Sequence, residues 1–205
     1  MKRMSICQII IGEKFMEENS KQLLESQLRE CYGRVVWSHK THEKSADIIL
    51  KWNNILKWSQ IILSTLTTSG LIMTIFGNFL WVKITSAIIS AVLLLLNTYL
   101  KSTDLGAIVQ KHKEIAADIW NIRESYLSLI TDLKIENVSI ENIQIRRDQL
   151  QKELALIYKK SPRTINKAYK EATKALKLNE EMTFTDEEID CLLPIKFRKI
   201  NRNVT

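Results

Sequence analysis

Two stretches of the chain depart from the usual mixing of charged and apolar residues. Residues 58–82 contain no Asp, Glu, Lys, Arg or His, and after Lys83 residues 84–100 are again uncharged. A helix needs about 20 mostly apolar residues, at roughly 1.5 Å rise each, to cross a hydrocarbon layer of about 30 Å. Residues 58–76 meet that length. Residues 84–100 sit near its lower limit, and Lys83 and Lys101 at their ends can snorkel their amines to the two interfaces. Between the spans, Gly77 and Asn78 signal a turn beside Phe79 and Trp81, while Trp52, Trp58, Trp81 and Tyr99 fall where an interfacial aromatic belt lies. The pattern predicts a transmembrane hairpin. A soluble bundle built around one very apolar buried hairpin is the alternative.

Within the spans the polar positions are ordered. On a helical projection Gln60, Ser64, Thr67, Gly70, Thr74 and Asn78 cluster on one side of the first span, and Ser86, Ser90 and Asn97 share a face of the second with Lys83 and Lys101. Such stripes have two readings. Small residues let helices approach closely, and Ser, Thr and Asn bond across a lipid-excluded seam. In an oligomer the same side chains can line a water-filled path. Ser64, Thr67, Gly70, Thr74, Ser86, Ser90 and Asn97 are therefore candidates for either helix interface or pore lining.

Outside the membrane the apolar period is helical throughout. Leu24, Leu28, Cys31 and Val35 recur at spacings of four and three, with only Gly33 as a possible break before the first span. Leu105, Ile108, His112, Ile115, Ile119, Ile122, Tyr126, Leu129 and Leu133 alternate three and four, which predicts that the second span continues as a coiled-coil-like stalk. After a break at residues 134–138, Ser139 can cap a helix bearing Ile140, Ile143, Leu150, Leu154 and Ile157. Ser161 and Pro162 read as N-cap and first position of the next helix, with Ile165, Tyr169, Ala172 and Leu176 as its buried stripe. Thr185 with Glu188 forms a capping box for a short helix ending near Pro194.

The fold expected is all-α: N-terminal cytoplasmic helices over 1–57, a hairpin over 58–100, a C-terminal cytoplasmic bundle over 101–193 and a basic tail over 194–205, all one domain. Only 5 Gly and 2 Pro in 205 residues leave little material for turn-rich β structure.

Charge orients the hairpin. Arg34, Lys40, Lys44, Lys51 and Lys57 precede it, Lys101, Lys111 and Lys113 follow it, and the loop offers only Lys83. Both ends are therefore expected in the cytoplasm. The net charge of +7 suits nucleic acid and an anionic membrane face equally, and the tail over 195–202, which interleaves basic and apolar residues, suits anionic lipid headgroups more than nucleic acid, with a flexible solvated tail as the plainer alternative. Three cysteines, Cys7, Cys31 and Cys191, lack the number and spacing of a disulfide framework or zinc site. The short apolar run at 9–11 is too small for a signal-peptide core.

Candidate chemistry is sparse. The chain has no phosphate-binding loop, no GxGxxG, no HExxH and no GxSxG, so neither an enzyme nor a cofactor is expected. His42 and His112 fall on apolar faces of helices that a hairpin would raise side by side at similar heights. Core imidazoles satisfied by a neighbouring Ser or backbone group are the ordinary reading, and a proton-sensitive or metal-bridging pair is the sharper one. His39 and His42 share a face near Glu43, but two imidazoles without further ligands do not make a metal site. Arg146, Arg147, Lys159, Lys160 and Arg163 are candidate contacts for a partner or anionic signal, against the plainer reading of a solvated basic face.

The order of parts resembles the SLATT domains, two-transmembrane effectors found beside nucleotide-generating or nucleotide-sensing genes in prokaryotic defence loci. The resemblance is carried by Leu28-Arg-Glu-Cys-Tyr-Gly-Arg34, Ser38-His-Lys-Thr-His-Glu-Lys44, the hairpin, Lys113-Glu-Ile-Ala-Ala-Asp-Ile-Trp-Asn-Ile-Arg-Glu-Ser-Tyr126 and Ser161-Pro-Arg-Thr-Ile-Asn-Lys-Ala-Tyr-Lys170. It implies a homo-oligomeric effector that perforates the inner membrane when an infection-sensing partner signals, killing or arresting the cell. No attached nucleotide-sensing domain with recognisable phosphate-binding glycines is read in this sequence, so the trigger is expected to come from a separate protein or to bind an unrecognised surface. A membrane-anchored scaffold that recruits a soluble signalling or defence partner through its cytoplasmic helices is the alternative.

Overall fold

A computed structural model describes residues 6–77, 79–136 and 138–199 of the chain, with side chains from Met16 onward apart from Glu17. Asn78, the Cys7 side chain and tail residues 200–205, all singled out above, lie outside the described residues. Among those described, all regular structure is helical.

Helix α1 spans Ile6–Phe76 and passes through Gly33 without interruption. The N-terminal helical segment and the first span are thus one rod. Helix α2 spans Leu80–Thr103, beginning earlier than the predicted 84, because Trp81 and Val82 join the helix and the turn contracts to residues 77–79. At the turn a Cβ on Gly77 would sit 2.7 Å from Cε2 of the exposed Phe79 ring, so a larger residue there would displace that ring.

The stalk is not continuous with the second span. Helix α3 spans Leu105–Ile135, and Asp104 between α2 and α3 adopts a left-handed conformation with φ 35°. Its carboxylate accepts from the Ala107 amide at 3.0 Å and so caps α3. Asp tolerates the left-handed region because its short polar side chain can bond locally. The spacing of apolar residues could not reveal this break, since the three-four alternation runs on past it.

Helix α4 spans Ile140–Lys160 with Ser139 as its N-cap, as the sequence predicts. Helix α5 spans Asn166–Lys177, and here the sequence reading needs correcting. Residues 161–165 are not helical, so Ser161 closes α4 instead of opening α5, with its amide on the Tyr158 carbonyl. Proline disfavours helical backbone in the residue before it, which ends α4 there. The stripe shifts accordingly: Ala168, Ala172 and Ala175 are buried, whereas Tyr169 is exposed. Helix α6 spans Asp186–Leu192 with the Thr185–Glu188 capping box formed in both directions, and a single 3-10 turn, Ile195–Phe197, follows.

Helix α3 packs along the N-terminal half of α1, α4 packs on α3, and α5 lies on α1. The core joins Leu24, Leu28, Cys31 and Val35 of α1 to Ile115, Ile119, Ile122, Tyr126, Leu129 and Leu133 of α3 and to Ile143 and Leu150 of α4. At the distal end Lys21 pairs with Glu136.

The hairpin is built the other way out. Ile61, Ile62, Leu66, Leu71, Ile72 and Met73 of α1 and Ile84, Ile88, Val92, Leu94 and Leu95 of α2 are exposed. Two helices are long and apolar enough to cross a membrane, and their apolar windows are 0% and 6% buried. A soluble protein does not leave so large an apolar belt in water, which eliminates the buried-hairpin alternative.

Candidate functional site in the membrane hairpin

The polar stripes divide into two surfaces. One is the α1–α2 seam, where Gln60, Thr67, Gly70 and Thr74 are partly buried. Ser86, 7% exposed, is the buried residue of α2, and it faces Gly70 so closely that a Cβ there would collide with the serine Oγ. Gly70 and Ser86 therefore mark the helix crossing, the close approach that small residues permit.

Ser64, Ser90 and Asn97 are exposed instead. Ser64 and Asn97 border a groove of about 690 Å³ that also takes in Lys57, Gln60, Thr65, Thr68, Ser69 and Leu93. The stripe drawn from the sequence omits Thr65, Thr68 and Ser69. Their signal is nonetheless present there: Thr68 and Ser69 follow Thr65 at spacings of three and four, which places a second polar strip beside the first.

The hydroxyls of this strip are largely satisfied by their own helix. Thr65 donates to the Ile61 carbonyl at 2.9 Å and Thr68 to that of Ser64 at 3.0 Å. The Gln60 and Asn97 amides make no hydrogen bond among the described residues. In a bilayer such amides seek a protein partner or water.

The histidines converge at the α1–α3 contact, 3% and 1% exposed for His42 and His112. Their Nδ1 atoms are 2.9 Å apart, and His42 Nε2 is 3.0 Å from Ser161 Oγ, which itself donates to the Pro162 carbonyl at 3.1 Å. One arrangement of protons satisfies all three contacts: His112 donates through Nδ1 to His42, His42 donates through Nε2 to Ser161, and Ser161 donates to Pro162. The satisfying serine that the sequence left unnamed is thus Ser161, brought in from the α4–α5 linker.

Burial, followed by the charges of His112 and His39, lowers His42 to about 4, and burial lowers His112 as well. His39 is lowered chiefly by burial, with its Nε2 3.8 Å from Glu43. Its ring lies 5.3 Å from that of Trp120, over which Arg123 stacks at 4.2 Å. Among the described residues no group of three or more His, Cys, Asp or Glu is placed to hold a metal.

The basic candidates do not form one cluster. Arg146 bonds Gln149 and Glu153, and Arg147 bonds Asp148 and reaches Gln27 of α1 at 2.7 Å. Lys159 and Lys160 close α4, and Arg163 is exposed in the linker.

The fold thus defines an all-α membrane protein whose two spanning helices rise into a helical bundle. The family model of SMODS and SLOG-associating 2TM effector domain family 4 matches residues 24–188, and the chain belongs to that family. The family's name ties its members to SMODS and SLOG nucleotide-signalling systems, and membership makes this chain a membrane effector of defence systems. Comparison with curated proteins and with solved structures returns no match.

Proposed function

We propose that this chain assembles with copies of itself into a pore in the cell inner membrane, with both ends in the cytoplasm. A separate sensor or nucleotide-signalling partner opens it, and the infected cell dies or arrests. The observation that carries this reading is the outward polar groove. Gly70 and Ser86 bring α1 and α2 together, and two helices cannot enclose a water-filled path by themselves, so a conducting path forms between subunits. Gln60, Ser64, Thr68 and Asn97 supply a polar wall that only neighbouring copies can enclose. The excess of lysines on the bundle side of the hairpin supports the orientation.

The test is membrane potential and growth in bacteria expressing the intact chain together with its genomic neighbours. Rapid depolarisation is expected, and Gln60→Leu combined with Asn97→Leu should abolish it while leaving the protein in the membrane. Undiminished depolarisation in the double variant would refute the groove as the conducting wall.

A second reading, a membrane-anchored scaffold, is favoured by the C-terminal arm. Leu192, Ile195 and Phe197 are exposed there and could seat a soluble partner. An unchanged potential together with recruitment of that partner to membranes would favour it.

A further inference from the structure

Where α1 leaves the bundle and approaches the membrane, it and the start of α5 border an open cleft of about 420 Å³. Its charged lining carries both signs: Lys44, Lys51 and Lys167 with Asp47 and Glu171. Lys44 is engaged by Glu181 at 3.5 Å. The other four make no ion pair among the described residues, although they share one cleft. Separated, unpaired charges of both signs fit a zwitterion better than a simple anion, which Asp47 and Glu171 would repel.

The cleft also has an apolar exit. Trp52 and Ile55 line its membrane side, and Trp52 lies about 9 Å before Trp58 at the helical rise, which is headgroup depth. Ile55, Trp58 and Ile62 follow at spacings of three and four and are all exposed, so an apolar track runs from the cleft down the lipid face of α1. A soluble zwitterion would have no use for that track.

We propose that this cleft holds one phospholipid whose headgroup carries both a phosphate and a primary ammonium. Lys51 and Lys167 take the phosphate, Asp47 and Glu171 accept hydrogen bonds from the ammonium, and an acyl chain lies along Ile55 and Ile62. The lipid would tie α5 to the membrane-proximal end of α1. This site is independent of whether the hairpin conducts.

The test is native mass spectrometry of the full chain in neutral detergent, titrated with phosphatidylethanolamine, phosphatidylglycerol and phosphatidylcholine of identical acyl chains. Phosphatidylethanolamine should bind most tightly, by about tenfold over phosphatidylcholine, whose quaternary nitrogen has no proton to donate. Asp47→Asn with Glu171→Gln should erase that preference, and Lys51→Gln with Lys167→Gln should weaken all three lipids. These side chains are on the surface, and circular dichroism of each variant verifies the fold. Phosphatidylglycerol binding as tightly as phosphatidylethanolamine would overturn the proposal in favour of a plain cationic surface. So would a preference that survives loss of both carboxyl groups, or binding of phosphatidylcholine equal to that of phosphatidylethanolamine.

Discussion

Between His42 and His112 the two facing nitrogens have room for one proton. A second would set two N–H groups against each other at 2.9 Å, in a site closed to water. The consequence for stability has a definite sign. Above about pH 6.5 both imidazoles are neutral whether the chain is folded or not. Below it the unfolded chain takes up protons that the buried pair does not. Stability is therefore complete above the unfolded value and is lost as pH falls from 6.5 toward about 4, the value to which burial first and neighbouring histidines second bring His42. A shift of that size corresponds to on the order of 3 kcal/mol. Thermal unfolding in detergent should thus show a lower midpoint at about pH 5 than at about pH 7, and His42→Leu should flatten the dependence. A slope that His42→Leu leaves unchanged would assign the effect to other groups.

Helices in this chain are separated by few residues, and three of the junctions have a local cause. The Gly77 turn is shaped by the Phe79 ring, Asp104 interrupts the second rod, and Pro162 ends α4. Contact between helices follows side-chain size. Three buried alanines bring α5 onto α1, and Gly70 admits Ser86 at the hairpin crossing. Gly70→Ala should destabilise the hairpin by about 1–3 kcal/mol, the usual cost of overpacking. Combining it with Ser86→Gly, which removes the clashing Cβ and hydroxyl, should recover most of that loss. Unfolding in micelles as a double-mutant cycle measures the coupling. Strict additivity would mean that these two residues do not meet.

At the scale of the whole molecule, the hairpin presents an apolar exterior with a groove on its flank that Gln60, Ser64, Thr68 and Asn97 border. If copies close over that groove, a cysteine placed in it must face another subunit. In a background lacking Cys7, Cys31 and Cys191, Thr68→Cys should form disulfide-linked species in membranes under mild oxidation. Leu95→Cys, on the exposed apolar surface of α2, should not. Equal cross-linking from both positions would indicate random collision and count against an ordered assembly. What the sequence by itself determined was the set of one-dimensional features: two uncharged windows, the three-four run of α3, the apolar face of α4, and the caps at Ser139 and Thr185. These depend on hydration and on spacing along a single helix, so they are legible without a partner. Only the tertiary structure decided which polar residues turn inward, which line the outer groove, and that Ser161 meets His42 from 119 positions further along the chain. Those outcomes depend on the rotational phase of one helix against another. A helical projection leaves that phase free, and here it is set by the Asp104 break, the Gly70 crossing and the non-helical linker at 161–165.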